Sequence, residues 1–297
     1  MNSLLSFMRS AAHDLNFSGR HRTAETYLST LNSISVFLNG DDIPLSEINH
    51  DFIKAYERHL IRRDLCPNTI SFYLRVLRAA LNMSVRTGVV PPFPEKLFKN
   101  VYTSIDRTVK RAVSISEIRK IRNLKLTDCP QMELARDLFL FSFYTRGMSF
   151  VDMAFLRDNN IKSGTLTYHR CKTGQRLDIY LERRILFIIR KLRIPDSPFL
   201  LPIIKRPGLD ERRQYTNMEH VVNKWLKEVG KAINLDFPLT MYVARHSWAD
   251  VARKKGVPLS IISEGMGHTS EKTTRIYLKA LNNSEIDRAN KSIIYSV

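Results

Sequence analysis

Pro91, Pro92 and Pro94 fall within one short stretch, just after a run of helical periodicity. Proline fixes φ and has no backbone N–H, so such a cluster neither continues a helix nor sits inside a sheet. The chain is therefore expected to fold as two bodies. A basic, weakly periodic stretch follows the prolines and extends the break. This gives a linker over 91–113, a first domain over 1–90 and a second over 114–281, with a tail over 282–297. The 297 residues, 43% of them hydrophobic, have the length for two domains and the apolar content for their cores.

The first domain reads as helical. Ala24, Tyr27, Leu28, Leu31, Ile34, Val36 and Phe37 recur at close to a 3.6 period and stop at Gly40. Ile53, Tyr56, Leu60 and Ile61 repeat the pattern over 52–65. Cys66-Pro67-Asn68-Thr69 then opens a longer helix that runs to about Thr87 and closes at Gly88. Ile70, Leu74, Leu77 and Leu81 form its apolar stripe. Arg75, Arg78, Asn82 and Arg86, three and four residues apart, share another face.

Charge decides how that second face is read. Lys and Arg number 47 against 29 acids, a net charge of +18, and such a surplus favours a polyanionic partner. A basic stripe on one helix is ordinarily a solvated face. With Lys54, Arg58, Arg62 and Arg63 on the preceding helix, it becomes a candidate DNA-phosphate surface: Arg75, Arg78, Asn82 and Arg86, with Thr69 at the helix start. An anionic membrane is the second candidate polyanion. The longest apolar run, 138–144, contains Ser142 and falls far short of the ~20 residues a span requires. Residues 1–8 lack the basic start and cleavage site of a signal peptide. Cys66, Cys129 and Cys171 are widely spaced and show no metal-binding spacing. Reduced thiols in a cytoplasmic, nucleoid-associated protein are expected.

The second domain mixes elements. Ser114-Ile115-Ser116-Glu117 has the form of a helix cap. Helices are expected over 133–144, 146–156, 183–191, 218–233, 244–255, 261–266 and 271–281. Between them, Leu166, Tyr168, Arg170 and then Leu177, Ile179, Leu181 alternate on either side of Lys172-Thr173-Gly174-Gln175, the pattern of a β-hairpin. The fold class is mainly α with a small β-hairpin or sheet.

Tyr277 lies nine residues after His268, and Arg245-His246 lies upstream in Ala244-Arg245-His246-Ser247-Trp248-Ala249. A tyrosine near a helix end is ordinarily packing. With an arginine and a histidine on neighbouring helices it acquires a chemical reading. A phosphodiester can be cut without metal by a positioned nucleophile surrounded by cations. His246, next to Arg245, points about 100° away on a helix and is expected to be structural, as is Trp248. His169 is expected at the surface or on a DNA backbone.

With these motifs the chain resembles the tyrosine recombinases of phage-integrase type. Arg245-His246, Gly265-Met266-Gly267-His268 and Thr274-Arg275-Ile276-Tyr277 resemble the catalytic domain, and Pro67-Asn68-Thr69-Ile70 resembles the start of a core-binding helix. Thr145-Arg146-Gly147-Met148-Ser149-Phe150-Val151-Asp152-Met153 is similar to the branch of integrases and DNA invertases from Bacteroides-type bacteria. The resemblance implies a helical, SAM-like core-binding domain and a catalytic domain. It also implies Tyr277 as the nucleophile that forms a 3′-phosphotyrosyl link and frees a 5′-hydroxyl. Arg245 and His268 would hold the phosphate, and Lys172 would protonate the leaving oxygen. No cofactor and no metal are implied.

Two positions depart from the family pattern. Tyr242 stands where a histidine is common; its phenol donates a hydrogen bond but is a poor proton acceptor. Ser149 stands where the first arginine is usual. Arg146, one helical turn earlier, is expected to reach forward and supply that guanidinium, with Asp152 orienting an arginine. The implied partners are duplex DNA with inverted-repeat core sites, three further protomers in a tetramer and, in some systems, DNA-bending accessory proteins. The weakly apolar tail would dock on a neighbouring protomer. Two rivals stay open: a non-catalytic DNA-binding protein of the same fold, which Ser149 and Tyr242 favour, and a type IB topoisomerase-like enzyme.

Overall fold

The computed structural model describes residues 2–94, 96–106, 111–275 and 294. The chain divides into two compact units, 1–108 and 109–297.

Four helices build the first unit: α1 (Leu4–Phe17), α2 (His21–Phe37), α3 (His50–Arg62) and α4 (Pro67–Arg86). Helix α1 has no side-chain cap of its own at Ser3. Asp42, far along the chain, serves instead, accepting from Leu5 N at 2.8 Å and Ser6 N at 3.1 Å. Helix α3 is capped locally, with Asn49 accepting from Phe52 N. Helix α4 starts at Pro67, where the missing N–H costs no helical bond. Ile70, Leu74, Leu77 and Leu81 pack inward with Leu4, Met8, Ile34, Ile53 and Tyr56.

The stretch expected to be linker begins inside this unit. Leu97 and Val101 are buried in its core. Glu57, itself buried, accepts from Tyr102 N at 2.7 Å and pairs with Lys54, which also donates to Asn100 O. A carboxylate buried on α3 is thus satisfied by a segment 45 residues away in sequence.

The second unit is built around α6 (Pro130–Tyr144), which is buried on nearly every side. Leu138, Phe139, Leu140 and Phe141 meet α9 (Glu211–Ala232), α10 (Met241–Lys254) and α8 (Arg183–Leu192). Helix α5 (Ile115–Asn123) opens with the capping box anticipated at Ser114 and Glu117. The hairpin is present as β2 (Thr165–His169) antiparallel to β3 (Arg176–Tyr180), with Tyr168 opposite Leu177. A two-residue strand, β1 (Ile161–Lys162), adds to its edge and makes a three-stranded sheet. Helices α11 (Leu259–Gly265) and α12 (Glu271–Arg275) complete the described part. The expected tail lies outside it, as does the end of the helix expected over 271–281.

One expected helix is corrected. The stretch over 146–156 is helical only as α7 (Phe150–Ala154). Arg146 and Gly147 both adopt left-handed backbone, φ +62° and +75°, which breaks the chain after α6. Ser149 then caps α7, accepting from Asp152 N. Arg146 and Ser149 are therefore not one turn apart on a helix.

Candidate active site

Helix α10 carries Arg245 with its guanidinium turned inward, 5% exposed. Two backbone carbonyls fix the planar fork. Nη1 donates to Gly147 O at 2.6 Å and Nη2 to Met266 O at 2.5 Å. Arg245 thus joins the turn after α6 to the loop after α11. The turn must be glycine. A Cβ at Gly147 would stand 2.7 Å from the Arg245 Cα, on a backbone already at positive φ.

His268 lies against the same guanidinium, Nε2 being 3.0 Å from Arg245 Nη2, and its Nδ1 is 2.8 Å from Thr274 Oγ1. An arginine only donates, so Nε2 accepts, and the ring carries its proton on Nδ1 and donates it to Thr274. Burial, then the charges of Arg245, Arg170 and Lys172, push the His268 pKa down from 6.5 to about 3. The ring is neutral at physiological pH. The Thr274 hydroxyl can also donate, so it can hold the other tautomer, whose Nε2–H becomes free to donate once Arg245 Nη2 turns to another acceptor.

Lys172 sits at the exposed tip of the β2–β3 hairpin, close enough for its charge to act on His268. Asp152 holds that tip in place. One carboxylate oxygen accepts from Cys171 N at 2.8 Å and the other from the Ser149 hydroxyl at 2.5 Å. The expectation that Asp152 orients an arginine is corrected: its partners are a serine and the backbone beside Lys172. Ser149, for its part, is occupied as the α7 cap.

The remaining candidates divide. Tyr242, one turn before Arg245, is 57% exposed and stands edge-on to buried His246, ring centroids 4.6 Å apart. Arg146 is half-buried, its Cδ beside Gly265. Trp248 is partly buried against the same glycine, and His169 is exposed. Tyr277 lies outside the described residues. Two residues were not singled out from sequence. Thr274, fully buried, is the partner of His268. Arg170, 6% exposed, donates from Nη1 to Gly267 O at 2.5 Å. The alternation of Leu166, Tyr168 and Arg170 was the available signal, since it continues the inward face of β2 one residue past its end.

In the first unit the basic face is more varied than its spacing suggests. Arg75, Asn82 and Arg86 are exposed, and Asn82 and Arg86 line a pocket of about 430 Å³ with Arg20 and Tyr27. Arg78 is half-buried with its guanidinium 4.5 Å from the centre of the Phe98 ring. Thr69 Oγ1 is 3.0 Å from Cys66 Sγ. Lys54 is committed to Glu57, whereas Arg58, Arg62 and Arg63 are exposed. The three cysteines are free, no helix among the described residues is long and apolar enough to cross a membrane, and those residues hold no metal-binding cluster.

The fold thus brings together a buried arginine locked by carbonyls, a neutral histidine on its fork and a hairpin, tethered by Asp152, that carries a lysine. Residues 3–101 match the phage integrase SAM-like domain and residues 143–284 match the phage integrase family. The chain belongs to that family, the tyrosine recombinases. It is 25% identical to the tyrosine recombinase XerA of Pyrococcus horikoshii, over 78% of this chain and 90% of that one. A tyrosine recombinase of Thermosipho africanus is 23% identical, over 92% and 94%. With XerA of Pyrococcus furiosus, 26% identical, the match takes in 63% of this chain and 64% of the relative. Among solved structures, a lambda integrase tetramer bound to a Holliday junction superposes with a TM-score of 0.67 at 18% identity, over 93% of this chain and 77% of that one. The XerH recombinase bound to its difH substrate gives 0.66 at 16% identity, over 92% and 79%.

Proposed function

We propose that the chain is a site-specific DNA recombinase that cuts and rejoins duplex DNA through a 3′-phosphotyrosyl link at Tyr277. The Tyr277 oxygen attacks the scissile phosphorus and gives up its phenolic proton to solvent, the bond to the 5′-oxygen breaks, and Lys172 gives that oxygen a proton. Arg245 takes a non-bridging oxygen on its fork and His268 donates from Nε2 in its second tautomer. Tyr242 is a hydrogen-bond donor at the rim, and Arg146 adds positive charge near the phosphate. The link conserves the energy of the phosphodiester, so the step balances without a nucleotide. Arg75, Arg78, Asn82 and Arg86, with Thr69, contribute DNA contacts from the first unit. Inverted-repeat core sites and a tetramer on DNA complete the reading. So do a second domain at 114–281 and a tail exchanged among protomers.

The observation that carries this reading is the Arg245–His268 pair, buried together with the arginine fork held on two backbone carbonyls. Nicked duplexes carrying inverted repeats from beside the gene provide the test. A denaturant-resistant protein–DNA adduct that disappears in Tyr277→Phe is the expected result. Absence of the adduct on DNA that a native gel shows to be bound would favour the non-catalytic reading, which Ser149 and exposed Tyr242 otherwise support. Relaxation of supercoils without exchange between two sites would favour a topoisomerase.

A further inference from the structure

Two arginines of the second unit are buried to nearly the same degree and are treated in opposite ways. Arg136, 8% exposed, is neutralised: Nε pairs with Asp137, Nη2 with Glu133, and Nη1 donates to Leu124 O. This is how a structural guanidinium is ordinarily kept inside a protein. Arg170, 6% exposed, has one side-chain bond, from Nη1 to Gly267 O, and its buried Nε has no partner among the described residues. Asp152, on the neighbouring turn, has both carboxylate oxygens engaged by Ser149 and Cys171 N.

The placement of this unmatched charge is specific. The hairpin holds the Arg170 backbone, its N donating to Gln175 O at 2.9 Å and its carbonyl accepting from Gly174 N at 2.8 Å. Its side chain crosses to the residue before His268. A Cβ at Gly267 would stand 3.0 Å from the Arg170 Cδ, so glycine is needed there for the approach. Arg170 thus lies beside the loop whose two ends are held by Arg245, at Met266 O and at His268. At the position where the family has its first arginine, Ser149 is occupied as a helix cap.

We infer that Arg170, reaching in from the hairpin, is a catalytic residue that supplies the guanidinium Ser149 lacks, taking the second non-bridging oxygen of the scissile phosphate opposite Arg245. This rests on the recombinase reading above and replaces Arg146 in that role. Arg146 sits on a left-handed turn and is half-buried, whereas Arg170 is a cation that no carboxylate among the described residues neutralises, beside the His268 loop. The phosphate would be the counter-anion that Arg136 finds in Asp137 and Glu133. As the Tyr277 oxygen bonds to phosphorus and the 5′-oxygen leaves with its proton, the charge on the two non-bridging oxygens would be shared between Arg245 and Arg170.

The test is single-turnover cleavage by the full chain, on substrates with oxygen, or with sulfur at either non-bridging position, at the scissile phosphate. Arg170→Ala removes the guanidinium. Arg170→Gln keeps a donor for Gly267 O while removing the charge, and decides the matter if Arg170→Ala fails to fold by circular dichroism. Wild-type protein must form the Tyr277 adduct on the all-oxygen duplex; if it does not, the recombinase reading itself has failed. Given that adduct, both variants are expected to be slowed about 10²-fold on oxygen and on one sulfur diastereomer. On the other diastereomer the penalty should shrink several-fold, because sulfur already stands in place of the oxygen that Arg170 would hold. Arg146→Ala should show no such asymmetry. Near-wild-type rates for Arg170→Gln would overturn the inference. So would an equal penalty on all three substrates, which marks a positioning role through Gly267, or an asymmetry that appears in Arg146→Ala instead.

Discussion

The two units hold positive charge in different ways. On α4 the charges of Arg75 and Arg86 face solvent, unfixed by any carboxylate among the described residues, and Arg78 is half-turned onto an aromatic ring. Around α10 and the hairpin, the charges of Arg245 and Arg170 are buried, and backbone carbonyls fix their forks. Exposed charges on long side chains give affinity that is shared among many phosphates and screened by salt. Buried, prepositioned cations give little extra attraction at a distance but act strongly on charge that develops beside them. The first arrangement suits holding DNA and the second suits changing it. Mutations on either side of that division should separate the two.

The largest effect is expected at Lys172. Replacing it with alanine should slow cleavage by about 10²- to 10⁴-fold, the range for loss of a general acid. A substrate with sulfur in place of the leaving 5′-oxygen needs no proton and should restore most of the rate. Equal slowing on both substrates would remove Lys172 from the proton transfer.

Gly147→Ala comes next. The new Cβ meets the Arg245 backbone at 2.7 Å, on a residue at φ +75°. A cost of about 3 kcal/mol to the second unit is expected, read as a lower melting temperature, with cleavage abolished and binding by the first unit retained. An unchanged melting temperature would mean that the turn relaxes freely and does not lock Arg245.

His268 gives a pH dependence. Its folded pKa, about 3, lies below the ordinary 6.5, so the unfolded chain binds the extra proton more readily. The stability linked to this ring is complete above pH 6.5 and is lost as pH falls from 6.5 towards 3. His268→Gln, which does not titrate, should lose less stability across that window than wild type in parallel denaturation curves. Superimposable losses would mean that the ring is not held neutral.

The smallest effect belongs to the exposed face. Arg75→Ala with Arg86→Ala should reduce the slope of log affinity against log salt by roughly 2, about one for each phosphate no longer neutralised, while leaving the cleavage rate of bound DNA within about two-fold. An unchanged slope would move the DNA surface away from α4.

Much of this contrast was legible in the sequence because it rests on local rules. The 3.6 period gave α2, α3 and α4; the period of two gave the hairpin; the motifs around Arg245 and His268 marked two side chains that the fold brings together. The error at Arg146 was local too. Gly147 is a stop signal, and Ser149 followed three residues later by Asp152 is a start signal, so together they argue for a break rather than one helix over 146–156. What could not be read depends on partners distant in sequence. Asp42 caps α1 from 37 residues away, Glu57 draws Tyr102 into the first unit, and Arg170 meets Gly267 across 97 residues. Composition marks Arg170 as one cation among 47 Lys and Arg residues; only its burial and its missing counter-charge set it apart.

The most direct test of the division between holding and cutting is to measure dissociation constant and single-turnover cleavage rate on the same duplex for Arg245→Ala and for the paired Arg75→Ala, Arg86→Ala variant. Arg245→Ala is expected to bind within about three-fold of wild type and to cleave at least about 10²-fold more slowly, while the paired variant does the reverse. If binding and cleavage fall together in both, the buried guanidinium is one more DNA contact, and the account of the site is wrong.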